Sequence, residues 1–288
     1  ITAPAKSIDQ SAVDHAAHWL EKQGYCVQLS AHCIGQHNYF SGTDEQRRDD
    51  MQRAIDDPEI KAIWCARGGY GAVRILDKLD YTNFKKYPKW IIGYSDITAL
   101  HNQVNIKGFE SIHAMMCTSL QDDNETIRET ISTFKDAVFG NPLAYTLTGS
   151  ENNRTGSASG QLVGGNLTIL LTMLGSETSI NTSGNILFIE EIGEYEYHID
   201  RMLQSLKRAG YFDNCKGVIV GDITKVRKNT TPWGQTVEEL ILDVTKEYKF
   251  PILFDFPAGH DIENNAMILG RNIDLYVTKE FSVVKFSE

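Results

Sequence analysis

Apolar residues recur along the chain at two spacings, and the change from one to the other marks out the elements. Residues 1–4 read as the end of a first strand. Ile8, Ala12, Ala16, Trp19 and Leu20 then fall at helical spacing, with Ser7 as N-cap and Gly24 as the stop. Residues 25–29 form a second strand. Thr43 opens a helix with Gln46 at the capping-box position and Met51, Ala54 and Ile55 along one edge. Residues 61–65, 90–93 and 111–114 are short apolar strands. The first is followed by a glycine loop, Arg67-Gly68-Gly69-Tyr70-Gly71, and a short helix through Leu79. The second runs into Gly93-Tyr94-Ser95-Asp96, after which Ile97, Leu100 and Val104 fit a helix, with Asp96 placed to cap its first turn. A helix over 124–138 closes this half.

Residues 140–160 change character. Asn, Pro, Ser, Thr and Gly dominate, and the stretch reads as a linker between an N-terminal domain (1–139) and a C-terminal one (161–288). Beyond it Gly164-Gly165-Asn166 opens a helix through Leu174. An apolar strand over 186–189 ends at Glu190-Glu191. A helix over 197–209 carries Ile199, Met202, Leu203 and Leu206 on one face and stops at Gly210. A strand over 217–220 follows, then a helix capped by Thr231 and running through Tyr248, with Pro232 at its first position. Short strands over 252–254, 266–269, 273–277 and 281–286 complete a mixed, β-rich half.

Strand–helix alternation in the first half implies a parallel sheet covered by helices on both faces. Ligands of such sheets sit at the carboxyl ends of the strands. Both the glycine loop and Ser95 lie at such ends.

The composition is that of an ordinary globular protein, with 41% hydrophobic and 23% charged residues in 288. The net charge is −10, and no basic cluster is denser than Lys85-Lys86 or Arg47-Arg48, which argues against nucleic acid as a partner. No apolar run reaches the roughly 18 residues that a membrane helix needs. The five cysteines (26, 33, 65, 117 and 215) are odd in number and lack CxxC spacing. Cys26, Cys65 and Cys117 read as reduced core thiols, which points to the cytoplasm. The chain begins at Ile1 rather than a methionine, which leaves open a leader, or more of the first strand, before it.

Ser95 is the first candidate for chemistry. A serine on a strand-to-helix turn stands clear of the sheet beside backbone N–H groups, although Ile97 occupies the place of the last glycine in G-x-S-x-G. A serine hydroxyl is a poor nucleophile until a base takes its proton and a third group orients that base. His15 and His18 share a helical face but lack the other ligands of a metal site. His198 sits in a charged helical start, His101 points away from the turn, and His113 ends the strand after Ser95. His260 differs, because the tight turn Pro257-Ala258-Gly259 holds it at a defined place. For the orienting carboxylate, Glu190 and Glu191 point to opposite sides if their strand continues, and either serves. The glycine loop is neither G-x-G-x-x-G nor a P-loop. Its glycines instead let backbone N–H groups approach a reacting carbonyl, with Gly69 and Asp96 as the oxyanion donors.

These motifs, in this order, resemble the LD-carboxypeptidases, serine peptidases of the S66 type. The resemblance rests on Gly42-Thr43-Asp44, Arg67-Gly68-Gly69-Tyr70-Gly71 and Gly93-Tyr94-Ser95-Asp96. It continues through Gly164-Gly165-Asn166-Leu167, Ile199-Asp200-Arg201-Met202-Leu203 and Pro257-Ala258-Gly259-His260. It implies an N-terminal flavodoxin-like parallel-sheet domain and a C-terminal β-rich mixed domain, with the site between them and commonly a homodimer. It maps a catalytic triad onto Ser95, Glu190 and His260, and so selects Glu190 over Glu191. No metal or cofactor is implied. The implied reaction releases terminal D-Ala from a murein tetrapeptide in cell-wall recycling. The rival is an immunity-type peptidase that cleaves a peptidyl nucleotide, for which Trp233 is the only loop tryptophan in the second half; a non-catalytic muropeptide sensor is a third reading. A carboxypeptidase must also grip a free carboxylate, and Arg67 is the candidate.

Overall fold

The computed structural model of the chain describes residues 1–120, 125 and 127–288. The fold is mixed α/β, and its elements gather into two sheets.

The chain enters as an extended segment that pairs through single bridges, Thr2 parallel to Cys65 and Lys6 antiparallel to Phe40. Helix α1 spans Gln10–Lys22 with Asp9 at its N-cap, not Ser7. Ser7 is occupied elsewhere: its N–H donates to the Tyr39 carbonyl and its own carbonyl accepts from Arg67. Residues 25–29 form no ladder; they run beside Ile1, whose carbonyl accepts from the Ser30 N–H. Helix α2 (Asp44–Asp56) has the expected reciprocal capping box between Thr43 and Gln46.

Strand β1 (Ala62–Trp64) leads through the glycine loop to α3 (Ala72–Leu76), with α4 (Thr82–Lys86) beyond. Strand β2 (Trp90–Gly93) turns through a 3₁₀ segment, Ser95–Ile97, into α5 (Thr98–Asn105). After β3 (Ser111–His113) comes α6 (Arg128–Phe139); the expected start of that helix, at Asn124, lies outside the described residues.

The stretch 140–160 is not a free linker. It holds β4 (Ala144–Thr148) and the start of β5 (Gly156–Asn166), both hydrogen-bonded into the second sheet. Next come α7 (Leu167–Met173), β6 (Ile186–Ile192), α8 (Glu196–Arg208) and β7 (Gly217–Thr224). Helix α9 spans Val237–Val244 and is capped by Thr236, whose capping box with Glu239 prevails over the expected Thr231. The reason is burial. Leu240, Ile241 and Val244 pack into the core, whereas residues 231–234 are exposed. Strands β8 (Ile252–Leu253), β9 (Met267–Leu269), β10 (Asn272–Val277) and β11 (Phe281–Phe286) follow.

The first sheet has the order β1-β2-β3-β9. Its first three strands are parallel, and β9, from the far end of the chain, closes the edge antiparallel to β3. The second has the order β4-β11-β10-β5-β6-β7-β8, antiparallel as far as β5 and parallel from there. One hydrophobic cluster joins both sheets through Trp64, Ile112, Phe188, Leu253 and Leu275. A second lies beneath α7, α8 and α9, and the expected face of α8 (Ile199, Met202, Leu203 and Leu206) is fully part of it. Both sheets therefore share a core, which fixes the strand ends of one half against those of the other. Four cysteines are buried; Cys26 is exposed, against expectation, and all five thiols are free.

Candidate active site

At the end of β2 the backbone is forced into an uncommon shape. A Cβ on Gly93 would lie 2.9 Å from the Ile97 side chain, so only glycine lets the turn close on the helix that follows. Two residues on, Ser95 itself has φ of +63°, a left-handed conformation that few non-glycine residues adopt. Such strain costs about 1–3 kcal/mol and persists only where packing over-determines it. Around Ser95 the packing is tight. A Cβ on Gly68 would meet Ser95 Cβ at 3.1 Å, and the Ser95 Oγ and the Asp96 amide nitrogen at 3.3 Å. The glycine loop therefore lies directly on the serine, through Gly68. Its neighbour Gly69 is exposed, with φ of +100°.

Asp96 does not cap its own helix. Its buried Oδ2 accepts from the Ala72 N–H at 2.8 Å, which ties the start of α3 and the glycine loop to the serine turn. Burial pushes its pKa up, against the opposing pull of that amide and of Arg47.

The strand carrying Glu190 continues through both glutamates to Ile192, with a register shift against β7 between Ile189 and Glu191. Successive residues of a strand face opposite sides, so the two carboxylates meet different partners. Glu191 accepts from the Thr168 N–H (2.7 Å), the Ile192 N–H (2.8 Å) and Asn166 Nδ2 (3.2 Å), so it anchors the start of α7. Glu190 is fully buried, and its Oε2 accepts from His260 Nδ1 at 2.7 Å. That bond leaves Nε2 of a neutral imidazole with its lone pair free. Burial alone would lower the His260 pKa, but the hydrogen bond and charge of Glu190, with Glu191 and Asp222 behind, outweigh it and raise it.

The His260 ring packs edge-on against Tyr94, centroids 4.9 Å apart, and Tyr94 adjoins Ser95 in the chain. Among the described residues no hydrogen bond joins Ser95 Oγ to His260, and such catalytic bonds are often completed only as substrate binds. Asp222, on β7, is a residue that the sequence reading missed. Its Oδ2 accepts from the Asp261 N–H at 3.0 Å, and a Cβ on Gly259 would lie 2.9 Å from its own Cβ, so it braces the turn that presents His260. Burial, ahead of the neighbouring carboxylates, pushes its pKa up to about 6. Its signal in the sequence was its place: an acid two residues beyond an apolar strand, as Glu190 is one residue beyond another.

The two fully buried histidines are structural in setting. His101, expected to point away from the turn, is fully buried and reaches the turn's glycine; its Nε2 donates to the Gly93 carbonyl at 2.9 Å, and burial pushes its pKa down to about 4. His113 is also buried, edge-on to Phe188 and Tyr94, and is held well below the usual histidine range by burial. Arg67 is half-buried and gives Nη1 to the Ser7 carbonyl at 3.2 Å.

Two family models match most of the chain. The model of the LD-carboxypeptidase N-terminal domain matches residues 1–114, and that of the C-terminal domain matches 159–275. A probable murein peptide carboxypeptidase of Bacillus subtilis is 32% identical over 292 residues, covering 99% of this chain and 90% of that protein. The chain belongs to the LD-carboxypeptidase family. By that membership it is a serine-type carboxypeptidase. A murein tetrapeptide carboxypeptidase of Pseudomonas aeruginosa is 28% identical across 94% of this family member and 90% of its own length. Among solved structures, a muramoyltetrapeptide carboxypeptidase from Oxalobacter formigenes superimposes with a TM-score of 0.91 at 25% identity, covering 100% of this chain and 97% of that one.

Proposed function

We propose that this LD-carboxypeptidase hydrolyses the L,D-amide bond that releases terminal D-Ala from murein tetrapeptides, as in cell-wall recycling. The observation that carries the reading is the buried Glu190–His260 pair, 2.7 Å apart, whose ring packs against the residue preceding a strained serine. Glu190 holds the imidazole in the tautomer that leaves Nε2 free. His260 takes the proton of Ser95 as its Oγ attacks the scissile carbonyl. The N–H groups of Gly69 and Asp96 receive the oxyanion, a role supported by the contact of the glycine loop with Ser95 and the Asp96 nitrogen. His260 then protonates the departing D-Ala amine, and a water molecule activated in the same way resolves the acyl-enzyme. Ser95 comes from the first half of the chain and Glu190 and His260 from the second, so the shared core sets the catalytic distances. Arg67 keeps N–H groups beyond its bond to Ser7 with which to meet substrate.

The free state of all five thiols supports action in the cytoplasm. The resemblance to the family supports a homodimer, which light scattering would read directly. The decisive assay incubates the protein with L-Ala-γ-D-Glu-meso-diaminopimelyl-D-Ala and follows D-Ala release by mass spectrometry. Wild type releases D-Ala, and Ser95→Ala loses at least about 10⁴-fold in rate. Equal release by both proteins would remove Ser95 from the mechanism. No release from a folded wild type, on diaminopimelate or lysine peptides, would refute the substrate.

A further inference from the structure

A carboxypeptidase distinguishes a chain end from a chain interior, and a cation gives the strongest bond to the free carboxylate that marks the end. In a chain of net charge −10, uncommitted cations beside the serine are few. Arg47 and Arg74 are both bound to Asp44, and Arg67 has given one edge to Ser7. Lys6 has no carboxylate partner among the described residues; its ammonium rests 4.9 Å above the Tyr39 ring.

We propose that the Lys6 ammonium receives the free α-carboxylate of the residue that Ser95 releases. The inference rests on the function proposed above and adds the group that restricts it to chain ends. Its basis is placement. Gly68 touches Ser95, and the next residue, Gly69, touches Lys6: a Cβ on Gly69 would lie 2.9 Å from Lys6 Cβ and 3.2 Å from its Cδ. The Lys6 N–H also donates to the Gly68 carbonyl at 3.3 Å. The lysine stem thus runs along the residue whose N–H is the proposed oxyanion donor, and glycine is required there for both to fit.

Reach agrees with this placement. The α-carboxyl carbon of a departing C-terminal residue lies two bonds, about 2.5 Å, beyond the scissile nitrogen. A flexible four-carbon stem swings its ammonium over such a distance. The hold of Tyr39 is weak because that ring is 43% exposed, and an exposed cation–π contact yields readily to an ion pair. Lys6 is half-buried, so its stem is positioned while its head stays free to move.

The test compares the tetrapeptide ending in D-Ala with the same peptide ending in D-Ala amide. Wild type, Lys6→Met, Lys6→Arg and Arg67→Met are assayed on both, with circular dichroism to establish folding. Methionine keeps the stem against Gly69 and removes only the charge. The expected result is a wild-type preference for the acid that Lys6→Met lowers by about 10- to 100-fold, mainly through KM, and that Lys6→Arg largely restores. An unchanged preference in Lys6→Met, with its loss in Arg67→Met, would assign the role to Arg67 and overturn the proposal. So would equal loss on acid and amide, which is the signature of a structural lysine. Turnover of neither peptide by wild type would instead refute the proposed substrate, and this inference with it.

Discussion

Two junctions in this molecule are built from the same parts and meet each other. At β2–α5 and at β5–α7 a strand runs through glycine at its end, Gly93 in one and Gly165 in the other, and a helix follows. Thr98 on the first junction accepts from the Asn166 N–H of the second at 3.0 Å, and a Cβ on Gly165 would lie 2.5 Å from its hydroxyl. Their polar groups are treated in opposite ways. At β5–α7, Asn166 has ordinary extended geometry and caps Ile169, while Glu191 takes the Thr168 N–H. At β2–α5, Ser95 sits at positive φ and no side chain caps the turn or the helix after it. The satisfied junction is scaffold. The strained junction leaves its hydroxyl and amides unspent, which is what a nucleophile and an oxyanion site require.

Glu190 and Glu191 are the sharpest way to break that contrast, since one serves each junction. Glu190→Gln removes the charge that raises the His260 pKa and orients its ring. The base must be neutral to act, so kcat/KM rises with pH through the His260 pKa, held above its usual 6.5. In Glu190→Gln the plateau falls by about 10²- to 10⁴-fold and the acidic limb moves to lower pH. Glu191→Gln keeps an acceptor but loses its charge-assisted bonds, at a cost of about 1–3 kcal/mol in denaturant unfolding. Its acidic limb moves less than that of Glu190→Gln. A larger kinetic loss in Glu191→Gln would reverse the division of labour.

His101 supports the strained junction from behind through its bond to the Gly93 carbonyl. Its folded pKa, about 4, lies below the unfolded value near 6.5. Between those values the unfolded chain binds the extra proton, so stability rises with pH across this window and is lost on acidification. His101→Gln retains a donor for Gly93 and does not titrate. Melting followed from pH 7 to pH 5 should cost the variant less than wild type, by on the order of 2 kcal/mol. Parallel losses in both would show that His101 does not carry this sensitivity.

Much of this was readable in the residues because it is local. The Thr43–Gln46 capping box, the apolar face of α8 and the strand–serine–helix order at Ser95 each need only a few neighbouring residues. What failed is non-local. Strand β4 and the first half of β5 lie in a stretch rich in Asn, Ser and Gly, and their partners β10 and β11 come from the end of the chain. Thr231 was the expected cap, and core packing of Leu240 and Ile241 moved the helix start to Thr236 instead. Alternation sends Glu190 and Glu191 to opposite sides, but which side meets His260 depends on a loop 70 residues away; the residues left the choice open, and only the family resemblance selected Glu190.

The smallest effects test the contrast most directly, because they should have opposite signs at the two junctions. Ser95→Gly relieves a left-handed conformation that serine tolerates poorly, so the variant should gain about 1 kcal/mol while losing catalysis. Asn166→Ala removes the cap on Ile169 and should lose about 1 kcal/mol. Denaturant midpoints of both variants, beside wild type, read the two signs. A Ser95→Gly protein no more stable than wild type would mean that the turn is not strained, and that its open hydroxyl owes nothing to stability given up for function. Equal losses at both sites would make the two junctions alike, and the contrast would then rest on side-chain identity alone.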